Sequence, residues 1–345
     1  MELTERVVRP PGVAGARPQP NQQEIEHAHR FINAVTQAFS TKVVGQENLR
    51  ESLLIGLLTG GHILLESVPG LAKTTAARAV ADAISGTFQR IQCTPDLLPS
   101  DIIGTQIFDS ATSSFVTQLG PVHANIVLLD EINRSSAKTQ SAMLEAMEER
   151  QTTIAGELHP IPEPFVVIAT QNPVDQEGTY PLSEAQTDRF MLKDILDYPS
   201  PQQEAEVIFR MDAGVYNRNQ PTPPVVGLED MRRLQELVGR IHLDPVLVHY
   251  VTQLVHVTRN PQQYLPQQLA RLVQYGASPR ATIAFCRSAR AVALLQGRNH
   301  VLPDDIQRVA HRVLRHRLIL GFEAMRLNVT PEMVIDAVLQ SVRVP

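Results

Sequence analysis

The stretch Gly70-Leu71-Ala72-Lys73-Thr74-Thr75 follows directly on the apolar run Ile63-Leu64-Leu65 and the turn residues Ser67, Val68 and Pro69. A strand that breaks into such a turn and then into a helix turns backbone N–H groups, and the positive end of the helix, toward an anion. In that geometry Lys73 reaches the β- and γ-phosphates of a nucleotide as a point charge, and Thr74 offers its hydroxyl to Mg²⁺. Ser67, Val68, Pro69, Gly70, Leu71, Ala72 and Thr75 complete the cradle. Taken alone, the same residues also fit a plain strand-to-helix turn with a surface lysine. Ser67 and Ala72 stand where the pattern G-x-x-x-x-G-K-[ST] has glycine. Ala72 is expected at the helix start with no unusual dihedral. Ser67 is the weaker point if the turn needs a left-handed backbone there, a conformation that costs a non-glycine residue about 1–2 kcal/mol and that the sequence alone leaves open.

Asn125-Ile126-Val127-Leu128-Leu129-Asp130-Glu131 reads as a strand buried on both faces that ends in two carboxylates. Ligands of open parallel sheets bind at such carboxyl ends. Asp130 would hold Mg²⁺ through its water shell, and Glu131 would polarise an attacking water. Phe165 to Thr170 predicts another buried strand, with Asn172 at its tip before Pro173, in reach of that water or of a γ-phosphate. Ser183 to Phe190 reads as a short capped helix presenting Arg189. Gly276-Ala277-Ser278-Pro279-Arg280 starts a further helix, with Ser278 as N-cap and Pro279 at the first helical position. Arg280 then sits in a first turn, where a cation is unfavourable to the helix dipole unless an anion is close. Each feature has a plainer alternative: capping carboxylates, an Asn-Pro turn, surface ion pairs.

The elements that must position these residues alternate between strand and helix over residues 23–198. Residues 1–22 carry many prolines and glycines with few large apolar groups, and are expected to stay disordered. An amphipathic helix is expected over 23–39, then a turn at Val43-Val44-Gly45-Gln46 whose Val44 and Gly45 could lie against a nucleotide base, then helices over 47–59 and 75–84. A strand is expected over 87–92. The irregular stretch 96–104, with Phe108 and Phe115 beyond it, suits either a partner surface or the core. A helix over 137–150, a hairpin over 151–157 and a strand over 190–195 complete an α/β unit spanning 23–198. A proline-bearing linker with a short helix fills 199–225. Residues 226–345 show helical periodicity and no strand, and read as a separate helical lid. The basic run Arg308–Arg317 reads as a solvated helix face.

At 345 residues and 19% charged residues the chain can bury a substantial core. Its net charge of −5 gives no general attraction to nucleic acid or anionic membrane. Cys93 and Cys286 lack metal-site or disulfide spacing, which fits a reducing cytoplasm. No apolar segment approaches the ~20 residues that span a bilayer.

With Gly70–Thr74, Asp130-Glu131-Ile132-Asn133-Arg134, Met147-Glu148-Glu149-Arg150-Gln151, Glu184–Phe190 and Gly276–Arg280 in this order, the chain resembles the MoxR family of AAA+ ATPases from about Gln23 to its C-terminus. The resemblance implies a P-loop core with a five-stranded parallel sheet of order 5-1-4-3-2, an all-α C-terminal lid, and a homo-oligomeric ring, usually a hexamer, with ATP or ADP and Mg²⁺ at subunit interfaces. It makes Lys73, Thr74 and Asp130 the phosphate and Mg²⁺ contacts, Glu131 the catalytic carboxylate, Asn172 the first sensor, Arg189 the arginine finger and Arg280 the second sensor. The loops over 96–115 and 152–163 match a helix-2 insert and a pre-sensor hairpin that face a pore or partners. The family's association with chaperone-like remodelling and metal-cofactor insertion, often beside von Willebrand factor A domain proteins, implies partners of that kind. A nucleotide-gated scaffold with weak hydrolysis and a DNA-translocating motor are the competing readings, and the acidic charge opposes the second.

Overall fold

The computed structural model describes residues 18–68, 70–173, 179–216 and 224–345. Pro69 of the loop, most of the N-terminal tail, and Pro221 and Pro223 of the linker lie outside the described residues.

Five short strands, β1 (Ile63–Glu66), β2 (Phe88–Gln92), β3 (Ile126–Asp130), β4 (Val166–Gln171) and β5 (Leu192–Ile195), form one sheet. All neighbours are parallel and the order is 5-1-4-3-2, as expected. The strands read as unbroken apolar runs because both faces are covered. Ile126 and Leu128 of β3 join a core with helices α1 (Gln22–Lys42), α2 (Glu47–Thr59) and α3 (Lys73–Ala83). Val127 and Leu129 instead pack with Met143, Leu144 and Met147 of α4 (Ala137–Glu149). Alternate residues thus serve opposite cores, as the two-residue repeat of a strand requires.

Helix α1 starts behind a capping box, Asn21 accepting from the Glu24 N–H at 2.8 Å and Glu24 accepting from the Asn21 N–H at 2.9 Å. Helix α3 begins at Lys73, two residues before its expected start, so Lys73 and Thr74 belong to its first turn. Between β2 and β3 lie a short helix, Pro99–Ile103, and an antiparallel hairpin, Gly104–Asp109 with Ser114–Leu119. Phe108 and Phe115 face each other across it, edge to face at 5.4 Å, and stay 59% and 68% exposed. A second hairpin pairs Gln151–Ile154 with Glu157–Pro160, turning at Ala155 and Gly156, both with positive φ.

Beyond β5 follow α5 (Pro201–Asp212), α6 (Leu228–Arg240), α7 (Pro245–Arg259), α8 (Pro279–Leu295), α9 (Pro303–Leu314) and α10 (Pro331–Ser341). The apolar faces of α6 to α10 share one continuous core with α1 and α2, whereas α5 buries no residue and leaves Ile208, Phe209 and Met211 exposed. Two sequence expectations need correction here. Val273–Tyr275 and Ile319–Leu320 form a small antiparallel ribbon where no strand was expected, its strands being too short for alternation to register. The basic run is not a solvated face: the side chains of Arg312, Arg315 and Arg317 are only 9%, 12% and 2% exposed. Arg312 meets Glu51 of α2 at 2.9 Å, and Arg312 and Arg315 both approach Asp194 of β5 at 3.6 Å. Helical periodicity shows which face is basic but not the acidic surface that covers it. Among the described residues no helix is long and apolar enough to cross a membrane.

Candidate active site

Strand register assembles the phosphate side. Glu66 of β1 lies beside Gln171 of β4, and Leu129 of β3 beside Ala169 of β4. The loop after β1, the pair Asp130-Glu131 and Asn172 therefore leave adjacent strand ends at one edge. Ser67 is buried and donates its N–H to the Gln171 carbonyl at 3.1 Å. Its hydroxyl accepts from Lys73 Nζ at 2.6 Å, and the Val68 carbonyl accepts from the same ammonium at 3.2 Å. Burial pushes the Lys73 ammonium below its ordinary range, while the nearby Asp130 and Glu131 carboxylates pull it back up.

The backbone strain lies elsewhere than expected. Ala72 is left-handed at φ +53°, and Ser67 is not among the positive-φ residues. The chain enters α3 through Gly70 at φ +88° and then Ala72, so the left-handed step falls on the helix N-cap rather than at the strand end. Gly70 has open space where a Cβ would stand, so its constraint is torsional.

Asp130 is held from two sides: Arg90 donates through Nε at 3.1 Å and Nη2 at 2.6 Å, and the Thr170 hydroxyl donates at 2.8 Å. That hydroxyl also accepts the Glu131 N–H at 2.8 Å, fixing the turn in which Glu131 adopts φ +58°. The Glu131 carboxylate accepts from Arg134 at 3.1 Å and Gln92 at 3.2 Å. Arg90, Gln92 and Thr170 were missed by the sequence reading. Alternation along β2 puts Arg90 and Gln92 on one face, a signal that was available; Thr170 becomes visible only through its register with Asp130. The Thr74 hydroxyl and Asp130 carboxylate are the hard oxygens Mg²⁺ takes, and such an ion is normally shared between one or two protein groups and phosphates. The thiol of Cys93, pushed up to about 12 by burial, is no nucleophile.

A cavity of about 940 Å³ opens beside the loop, lined by Val44, Gln46, Gly70, Leu71, Ala72 and Thr75 and closed by Tyr198, Ile208, Met211 and Tyr216. It is large enough for a nucleoside. The Val43–Gln46 turn is bent by Gly45 and Gln46, at φ +63° and +57°, and a Cβ on Gly45 would run into the Gln203 side chain. Helix α5, read from sequence only as part of a linker, thus supplies one wall.

Arg189 and Arg280 do not line this cavity. They converge on Glu148 of α4, Arg189 at 3.2 Å and Arg280 through a short ion pair. Ser278 caps α8 by accepting the Arg280 N–H at 3.1 Å, as expected. Glu148 is the anion that the unfavourable dipole position of Arg280 called for.

Comparison with known proteins follows this geometry closely. The model of the ATPase family associated with various cellular activities (AAA) matches residues 62–192, and that of the AAA lid domain matches residues 268–338. The chain is 48% identical to chaperone MoxR1 of Mycobacterium tuberculosis over 88% of its own length and 79% of the relative's. Protein MoxR of Paracoccus denitrificans is 31% identical, over 92% of this chain and 96% of its own. The crystal structure of a candidate ATPase from Cytophaga hutchinsonii superposes with a TM-score of 0.89 at 42% identity, covering 94% of this chain and 98% of the other. The sheet order, the helical lid and these similarities over most of each chain agree that the chain belongs to the MoxR family of AAA+ ATPases.

Proposed function

We propose that the chain hydrolyses ATP to ADP and phosphate at interfaces between copies of itself in a closed ring, a hexamer, and uses the cycle to remodel a partner protein. One observation carries this reading. Lys73, Asp130 and Glu131 gather at the sheet edge, whereas Arg189 and Arg280 meet on Glu148 outside the cavity. A phosphate bound at Lys73 therefore takes its remaining positive charge from a neighbouring subunit.

In this reading Val44, Gly45 and the α5 wall hold the base, and the turn from Ser67 to Thr75 wraps the phosphates. Thr74 and Asp130 would hold Mg²⁺, which would supply positive charge to the phosphates. Lys73 leaves the Ser67 hydroxyl for the phosphates, Glu131 orients and polarises water, and Asn172 hydrogen-bonds that water or the γ-phosphate. The neighbour's Arg189, with Arg280 beside it, stabilises the transition-state charge; such a finger is worth roughly 10³–10⁵ in turnover, or about 4–7 kcal/mol. Glu148 keeps the two arginines neutralised until they meet the neighbour's nucleotide.

The exposed Phe108–Phe115 hairpin and the second hairpin, with Leu158 exposed, present apolar groups suited to gripping a client. Chaperone-like work is also what the name of the Mycobacterium tuberculosis relative describes. A partner with a von Willebrand factor A domain, and metal-cofactor insertion as the outcome, are the finer form of this proposal.

The test is ATP turnover per subunit across a range of protein concentrations, with Arg189→Ala alongside. Turnover should rise steeply with concentration and fall on the order of 10³-fold in the variant. Flat turnover that Arg189→Ala leaves unchanged would remove the finger from the mechanism. Tight ATP binding with negligible turnover, partners included, would favour a nucleotide-gated scaffold.

A further inference from the structure

The five residues 187–191 that carry Arg189 are held from the lid side. Arg317, just beyond α9, donates from Nε to Asp188 Oδ1 at 2.7 Å, from Nη2 to the Asp188 and Phe190 carbonyls at 3.1 and 2.7 Å, and from Nη1 to the Met191 carbonyl at 3.1 Å. A fifth bond, to the Val313 carbonyl at 2.6 Å, returns to α9. All five N–H donors of a guanidinium can thus be matched one to one, on a side chain that is 2% exposed. The second carboxylate oxygen of Asp188 accepts the Ser278 hydroxyl at 2.7 Å, and Ser278 is the N-cap whose helix carries Arg280 in its first turn. Beside them, His316 Nε2 lies 3.0 Å from the Phe190 carbonyl.

We infer that Arg317 is a positioning residue: through Asp188 it ties Arg189, on the segment that enters β5, and through Ser278 Arg280, on the lid, into one unit, so that both arginines of one subunit meet the nucleotide of the next at a fixed separation. This rests on the interface reading above. Two features support positioning over simple adhesion. Three of the five bonds grip backbone carbonyls on both sides of Arg189, which fixes the direction of that residue and not only its distance. Asp188 is shared between the two arginine-bearing segments, so one carboxylate sets their separation. A buried charge used only as glue would be replaceable by an apolar side chain of similar volume, whereas a misplacement of the finger by about 1 Å would cost on the order of 10²-fold in rate.

The decisive experiment is subunit mixing. Lys73→Ala subunits cannot use their own nucleotide but keep an intact arginine edge, so mixing them with Arg189→Ala subunits should regain activity that neither has alone. Arg317→Gln rings should lose on the order of 10²-fold in kcat with little change in the KM for ATP, and mixing with Lys73→Ala should restore activity to the level of the Arg189→Ala reference mixture. Should Arg317→Gln fail to assemble, Ser278→Ala, which breaks the joint from its half-buried end, carries the same readings with a smaller loss. Assembled variant rings with unchanged kcat would overturn the inference. So would a loss that mixing does not repair while the reference mixture recovers, since the defect would then lie in the variant's own nucleotide site. If the reference mixture itself fails to recover, the interface reading falls and the positioning role falls with it.

Discussion

Lys73 opens α3 behind the end of β1, and Asp130 and Glu131 stand at the end of β3, where sheet register holds them, whereas Arg189 and Arg280 are held by side chains reaching across 129 and 132 residues of sequence, from Arg317 to Asp188 and from Arg280 to Glu148. The first edge is rigid because backbone hydrogen bonds between β1, β3 and β4 leave it no freedom. The second is joined through side chains instead, Arg317 and Ser278 of the lid on Asp188 and Glu148 of α4 on both arginines. The proposed ring would set these two kinds of edge facing each other across an interface.

The largest effect should come from breaking the chemistry at the rigid edge without touching its geometry. Glu131→Gln keeps the shape of a side chain that accepts from Arg134 and Gln92 but removes its charge. Hydrolysis should fall about 10²–10⁴-fold while ATP binding persists. Single-turnover hydrolysis beside equilibrium nucleotide binding checks this, and a variant with normal turnover would exclude Glu131 from the water-activating role.

This contrast also explains what the sequence disclosed. The rigid edge was legible because its residues are contiguous: Gly70 to Thr75 and Leu128 to Glu131 each carry strand, turn and chemistry in one short word. Sheet order followed from the resemblance those words supported. Arg317 was hidden, because a basic helical run looks the same whether water or Asp188 and Asp194 lie opposite it. Thr170 was hidden for a related reason, its role being set by a partner 40 residues away in β3. The loop at Asp96 to Phe115 left open whether Phe108 and Phe115 were core or surface, and the answer depended on a hairpin standing clear of the body.

A smaller effect separates the two edges by pH. His62, at the entrance to β1, accepts the Val167 N–H at Nδ1 at 3.0 Å, leaving Nε2 to donate to the Met147 carbonyl at 3.1 Å. Burial foremost lowers its pKa to about 4 from the ordinary 6.5. In the arginine-side joint, burial and the neighbouring Arg317 charge hold His316 neutral as well, well below the ordinary range. Both groups have folded pKa values below their unfolded ones, so the unfolded chain binds more protons in the window below 6.5. Their contribution is complete above pH 6.5 and is lost as pH falls, for His62 through about 4. His62 alone should then account for roughly 3 kcal/mol of lost stability across that window. Urea unfolding at pH 7 and at pH 5 captures about 2 kcal/mol of it, the remainder being lost only as pH falls through the folded value; equal stabilities would mean that neither imidazole is held neutral.

The smallest effect tests where the rigid edge stores its strain. Ala72→Gly removes a left-handed penalty of about 1–2 kcal/mol and gives back about 0.4–1 kcal/mol through the greater freedom of the unfolded chain. Glycine is also an acceptable N-cap. The net expectation is a stabilisation of about 0–1.6 kcal/mol, with nucleotide affinity intact. Ser67→Gly restores the other glycine of the sequence pattern, yet it relieves no left-handed residue and deletes the hydroxyl that accepts from Lys73 at 2.6 Å. It should destabilise by about 1 kcal/mol, the scale of one hydrogen bond. Two substitutions that look equivalent in the sequence should therefore move the unfolding midpoint in opposite directions. The reverse pair of signs would put the strained residue at the end of β1 and not at the helix cap.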